Sequence, residues 1–264
     1  MIRAVRRLLP LACLALACRA AAATLGADGV PELSLCIEEN PYPPLIYADR
    51  DGAIPILIKM AAREAGVRVQ FHRAPYLRCL AEVRSGQADG YPSTAWAIDG
   101  AEAYAFPGHP GPPDPARATV TTRMMVYRRT GAAVQWDGKA FGSLALPVLH
   151  DRSGLLVAQR LKALGVKADN SAKNAEANLS KLVAGRGDAV VSFEVAATPL
   201  LRQPRFAGKV EVLPTPFFVE TYYLGINHAV YARFRDKVEA MWQAIARLRP
   251  SAEYAAAIRD LPPQ

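Results

Sequence analysis

The chain has 264 residues, four cysteines and a net charge of +8. Arg3, Arg6, Arg7 and Arg19 lie in the first 23 residues, which hold no acids, so the remainder carries only +4. With no dense Lys/Arg run in that remainder, composition argues against a nucleic-acid partner, and the length suits one large domain or two lobes.

The opening stretch "MIRAVRRLLPLACLALACRAAAA" has a basic start, an apolar run from Leu8 to Ala17 too short to span a bilayer, and small residues after it. That pattern predicts a secretory signal peptide over residues 1–23, cleaved after Ala23, and hence a soluble periplasmic product. Lipidation at Cys18 is the alternative. Cleavage leaves Cys36 and Cys79, and in an oxidising compartment an isolated pair favours a disulfide over two separate buried thiols.

"ELSLCI" (32–37) alternates as a strand, and "ENPYPPLIY" is a loop that its prolines hold extended. "AIPILIKMAAREAG" places Ile54, Leu57, Ile58, Ala61 and Ala62 on one face, with Gly66 just past the end, which predicts an amphipathic helix. "VRVQFHR" (67–73) reads as a second strand. In "APYLRCLAEVRSGQADG", Leu77, Leu80, Ala81 and Val83 share a helical face that ends at Gly86, and "ADGYPS" starts a third strand. The alternation predicts a parallel α/β sheet.

"PGHPGPPDP" (107–115) is a loop by its prolines. A long strand follows at 118–129, then a strand at "SLALPVL", a helix at "SGLLVAQRLKALG" and a second helix running through "GRGDAVVSF" into a strand. Residues 217–227 are extended, and "ARFRDKVEAMWQAIARLR" is an amphipathic C-terminal helix. "VRSGQADG" and "VAGRGDAV" repeat one device of helix end, turn, aspartate and strand, which suggests two similar lobes joined by two crossings.

The order and spacing of "PYPPLIYADRDG", "RCLAEVRSGQADG", "GRGDAVVSFEVAA" and "W…IARLRPSAEY" resemble the periplasmic solute-binding proteins of family 3, in a divergent branch that includes the Cys36 and "RCL" cysteines. The resemblance implies an α/β fold of the type II periplasmic-binding-protein kind, two-lobed with two hinge crossings. Lobe 1 would be 28–123 plus 222–264 and lobe 2 would be 124–221. It implies a monomer that captures a small polar or aromatic solute in the interlobe cleft, without cofactor or metal, for an ABC permease or a membrane sensor. Carried over by position, the ligand-binding candidates are Glu39, Tyr42, Tyr76, Arg78, Ser93, Thr94 and Trp96 in lobe 1, and Arg152, Ser153, Phe193 and Glu194 in lobe 2.

Two departures from the family pattern bear on the ligand. "AIDGAEAYAF" lacks the arginine that grips an α-carboxylate, and the position expected to hold an acid for the ammonium group is Phe193, with Glu194 next to it. The sequence contains no G-x-S-x-G, H-E-x-x-H, C-x-x-C or G-x-G-x-x-G. A dehydratase-like enzyme using Glu39, Glu194 and Arg152 is the catalytic alternative.

Overall fold

A computed structural model describes residues 24–262, except Ala27 and Ser153. The expected signal peptide with Cys18, and the candidate Ser153, lie outside the described residues. The short strand β1 (Thr24–Leu25) pairs with the start of β2 (Pro31–Glu38). β2 runs parallel to β3 (Arg68–Ala74) along its whole length, and meets β4 (Gly90–Ala95) through Leu35 and Gly90.

Between β2 and β3, α1 (Ala53–Ala65) buries Ile54, Leu57, Ile58, Ala61 and Ala62 on one face, and Gly66 ends it at φ +63°. Only glycine enters that left-handed region freely. α2 (Tyr76–Ser85) follows β3 and is closed by Gly86. Its buried residues are Cys79, Leu80 and Val83; Leu77 and Ala81, expected on that face, are exposed. The sulfurs of Cys36 and Cys79 are bonded, tying β2 to α2 with their Cα atoms 5.3 Å apart. Closing a loop of 43 residues stabilises the fold by about 4 kcal/mol in the chain-entropy account.

After α3 (Trp96–Ala103) and a proline-rich loop, β5 (Val120–Arg129) leaves lobe 1. Lobe 2 holds the small hairpin β6 (Gln135–Trp136) and β7 (Phe141–Gly142), then β8 (Val148–His150), α4 (Leu155–Ala163), β9 (Ala168–Asp169), α5 (Ala175–Val183), β10 (Ala189–Phe193), α6 (Glu194–Ala197) and β11 (Val210–Val212). β12 (Phe218–Ile226) returns the chain to lobe 1, where α7 (His228–Arg233), α8 (Arg235–Leu248) and α9 (Ala252–Ile258) finish it.

The two crossing strands build the junction. Val120–Met124 of β5 pair antiparallel with Phe218–Tyr222 of β12. Beyond that ladder they diverge: β5 continues against β10 and β11 in lobe 2, and β12 continues against β4 in lobe 1. The hydrogen-bonded path is therefore continuous across the molecule, and separate apolar cores mark the lobes. In lobe 1, Leu57 and Ile58 of α1 share a core with Trp242 and Ile245 of α8. In lobe 2 the alternation of β5 feeds two cores, Met124 and Val126 into one and Met125 and Tyr127 into the other. That is the period of two expected of a strand covered on both faces.

The two aspartate turns do the same job in each lobe. Asp89 is 1% exposed, and its carboxylate accepts the Ser34 amide at 2.7 Å. Asp188 accepts the amides of Ala145 and Leu146 at 2.6 Å each. Each carboxylate satisfies backbone donors beside the start of a buried strand, where an unpaired amide would be costly. This also explains a shortened strand. Residues 143–147 were expected to be extended and paired, but Ser143 sits at φ +59°, the next amides are taken by Asp188, and pairing begins only at Val148. The C-terminal helix likewise divides at Phe234 (φ −123°) into α7 and α8.

Candidate functional site

The two lobes enclose a cleft of about 850 Å³, counted out to bulk solvent. Several of its side chains come from the C-terminal ends of strands, where open α/β sheets collect their ligand groups. Glu38 ends β2, Tyr76 follows β3, Ser93 lies near the end of β4, Asp151 follows β8 and Phe193 ends β10. The crossing strands supply the middle of the lining, with Val120, Thr122 and Met124 from β5 and Phe218 and Tyr222 from β12.

Aromatic rings dominate the walls. Tyr76 and Tyr91 meet edge to face with centroids 5.7 Å apart. Tyr42 of lobe 1 and Phe193 of lobe 2 meet across the cleft at 5.3 Å and 76°, and Phe193 also faces Tyr222 at 6.2 Å. Edge-to-face geometry places the positive rim of one ring on the negative face of another. Leu45, Ile46 and Ile54 in lobe 1 and Leu155, Leu156 and Val157 in lobe 2 complete the apolar surface.

The charged groups of the lining are both acids. Glu38 is 5% exposed and accepts a hydrogen bond from Asn40 Nδ2 at 2.9 Å. Asp151 is 6% exposed, and its Oδ1 accepts from Asn178 Nδ2 at 2.7 Å. Burial pushes the Asp151 carboxyl up from 3.8 to about 6, against the opposing pull of the Asn178 hydrogen bond. Burial also holds the Tyr91 phenol far above its usual range, helped by the nearby charge of Glu38, so it stays protonated as a donor. No Lys, Arg or His belongs to the lining among the described residues. Thr122, 4% exposed on the crossing strand, has a hydroxyl with no hydrogen-bond partner.

Of the candidates read from sequence, the structure brings Tyr42, Tyr76, Ser93 and Phe193 together in this lining. The other candidates among the described residues lie outside it. Glu39 is exposed beyond the end of β2, and its neighbour Glu38 takes the inward position. Arg78 is exposed on α2 and bonds Glu82 at 2.8 Å, one turn along the same helix. Thr94 is fully buried, with its methyl group against Gly225 of β12. Trp96 packs edge-on against Phe106, 5.1 Å between centroids, and so belongs to the core of lobe 1. Arg152 is exposed and donates to the Ser171 carbonyl at 3.2 Å. Glu194 is held by a two-point ion pair with Arg123 at 2.6 and 2.7 Å.

The lining residues absent from the sequence reading are mainly Glu38, Asp151, Tyr91, Thr122 and Tyr222. Asp151 stands one residue before the nominated Arg152, and Tyr91 two before Ser93. The one grouping of metal-capable side chains among the described residues is Cys36, His72 and Glu82, and the Cys36 sulfur is already bonded to Cys79.

No family model and no curated protein sequence matches the chain. Solved structures do. The GluR0 ligand-binding core from Nostoc punctiforme in complex with L-glutamate superposes with a TM-score of 0.65 at 15% identity, over 88% of this chain and 100% of that one. An ancestral arginine-binding protein bound to arginine gives 0.65 at 18%, over 87% and 97% of the two chains. A histidine kinase sensor domain with similarity to periplasmic binding proteins gives 0.62 at 17%, over 86% and 94%. At these identities the likeness is one of architecture: the chain has the two-lobed α/β fold of the type II periplasmic-binding-protein kind.

Proposed function

We propose that the protein is an exported solute-binding protein that captures a small molecule between its lobes and presents it to a membrane partner. The observation that carries this reading is the cleft itself: both lobes and both crossing strands contribute to one mostly apolar cleft, with Tyr42 and Phe193 in contact across it. Clefts lined mainly by apolar and aromatic side chains with a few polar groups are the usual form of small-molecule sites. Lobe 1 is assigned to 28–123 plus 222–264 and lobe 2 to 124–221. Both boundaries fall within the β5–β12 ladder, where a few residues can absorb the rotation of domain closure.

Export rests on the leader-like first 23 residues and on the disulfide between Cys36 and Cys79, a bond favoured outside the cytoplasm. Among the described residues no helix is long and apolar enough to cross a membrane. Import through an ABC permease and signalling through a membrane sensor draw on the same fold, since binding proteins and sensor domains both resemble this chain. A gene neighbourhood with a permease and an ATPase favours the first, and one with a histidine kinase the second. The dehydratase alternative loses support because Glu39, Glu194 and Arg152, its acid–base groups, lie apart from the cleft lining.

A thermal-shift screen of the purified protein against a broad metabolite library tests the reading. A solute that raises the melting temperature should lose that effect in the double variant Tyr42→Ala, Tyr76→Ala. Hits whose shifts survive both substitutions would place binding elsewhere.

A further inference from the structure

We infer that the solute is an organic monocation, an ammonium or guanidinium group on an apolar body, held between Glu38 of one lobe and Asp151 of the other. The inference rests on the cleft being the binding site and adds the charge of what enters it.

Three independent features of the lining agree. First, its formal charges are one carboxyl from each lobe and no basic side chain among the described residues. An anion would meet acids on both walls, whereas a cation is attracted by both as the lobes close. The basic groups beside the two acids and the lining are engaged elsewhere: Arg73 donates to the backbone carbonyls of Glu38 and Arg50 at 3.3 and 3.4 Å, Arg152 donates to the Ser171 carbonyl at 3.2 Å, Arg123 is paired with Glu194, and the Arg160 guanidinium stacks on the Phe218 ring at 4.4 Å.

Second, the walls carry four tyrosines and two phenylalanines, Tyr42, Tyr76, Tyr91, Tyr222, Phe193 and Phe218. Aromatic faces are negative, and a desolvated cation is held by them where a neutral group of the same shape gains only area. Third, Thr122 of the crossing strand, 4% exposed as a residue, lines the cleft and has a buried hydroxyl with no partner. A buried polar group left unmade points to a hydrogen bond supplied from outside the chain, and a hydroxyl can accept one from an N–H donor.

The opposing feature is the first turn of α4, where Leu155, Leu156 and Val157 line the cleft and backbone amides favour an anion. Asp151 lies in the turn that leads into that helix, with its carbonyl accepting the Gly154 amide at 2.9 Å. Negative charge is therefore already present there. The missing arginine in "AIDGAEAYAF" points the same way: nothing basic in the lining is provided for a carboxylate.

The test titrates the purified protein, by calorimetry and thermal shift, with phenethylammonium and benzyltrimethylammonium as cations. Benzyl alcohol is the neutral control, phenylacetate the anion, and phenylalanine and arginine the zwitterion-bearing controls. The cations should bind best, and Glu38→Gln and Asp151→Asn should each weaken them by about tenfold or more, a larger loss than either causes in any benzyl alcohol binding. Thr122→Val should weaken phenethylammonium, which carries N–H donors, more than benzyltrimethylammonium, which has none. Circular dichroism confirms that each variant is folded.

Preferred binding of phenylacetate or the amino acids, or cation binding that survives both acid substitutions, overturns the inference. If the cations fail but a library solute binds in a manner dependent on Tyr42 and Tyr76, the charge assignment falls and the cleft reading stands. If no solute of any class depends on those tyrosines, both fall.

Discussion

Replacing Asp151 by Asn should make the empty protein more stable at pH 8 while removing part of its binding site. Asp151 is 6% exposed, and burial raises its carboxyl from 3.8 to about 6. Because the folded value is the higher one, the folded state holds the proton more tightly. The associated stability is fully present below about 3.8 and is lost as pH rises through about 6. Above that window the ionised group costs the fold about 3 kcal/mol, at 1.36 kcal/mol for each pH unit between the two values. Asn is neutral throughout, has nearly the same shape and keeps an oxygen that can accept from Asn178 Nδ2. His150, whose Nδ1 lies 2.9 Å from the Asp151 carbonyl oxygen, is present in both chains and cancels in the comparison.

The variant should therefore exceed the parent by about 3 kcal/mol at pH 8, and by less than about 1 kcal/mol at pH 4. In a chain of this size that is about 6–12 °C of melting temperature at the higher pH. Urea unfolding at pH 8, 6 and 4 reads the difference directly. A gap that does not grow with pH would show that the buried carboxylate is not the source of the effect, and the reasoning would fail.

Three further outcomes follow from the packing. Converting Cys36 and Cys79 to serine should lower unfolding stability by about 4 kcal/mol, and mass spectrometry of the unreduced parent should show the two peptides linked. Gly90→Ala places a methyl group 2.6 Å from the Gly225 carbonyl oxygen, so it should destabilise lobe 1 by about 1–3 kcal/mol, measured by chemical denaturation. Asp188→Ala releases the Ala145 and Leu146 amides and should destabilise by about 1–3 kcal/mol for each amide left without a partner, with faster hydrogen exchange at those two positions.

The helices and strands of lobe 1 were legible because their burial is one-sided and their ends are punctuated. The 3.6-residue spacing of Ile54, Leu57, Ile58 and Ala61 and the stop at Gly66 define α1 from sequence alone. α2 was readable in extent, and of the face read as Leu77, Leu80, Ala81 and Val83 the residues Leu80 and Val83 are buried, whereas Leu77 and Ala81 are exposed and Cys79 is drawn inward by its bond to β2. The strand expected at 143–149 is shortened to Val148–His150 for a reason no local pattern carries, since a carboxylate 43 positions away takes the amide of Ala145.

The site divides in the same way. Tyr42, Tyr76, Ser93 and Phe193 could be named because they follow strand ends in a recognisable order. Glu38 and Asp151 each stand one residue before the nominated Glu39 and Arg152. At a strand end, one step turns a side chain from solvent to interior, and periodicity cannot fix where the strand stops. Thr122 and Tyr222 enter the lining only because the two crossing strands pair, a long-range fact.

The contact between Tyr42 and Phe193 joins residues from opposite lobes. Such a ring pair contributes about 0.5–1.5 kcal/mol beyond its area, and that contribution favours the shut arrangement of the lobes. A visitor must wait for that pair to part, and its departure waits on the same event. Weakening the pair should thus shorten the residence of a bound molecule, and speed its uptake, more than it alters how tightly it is held.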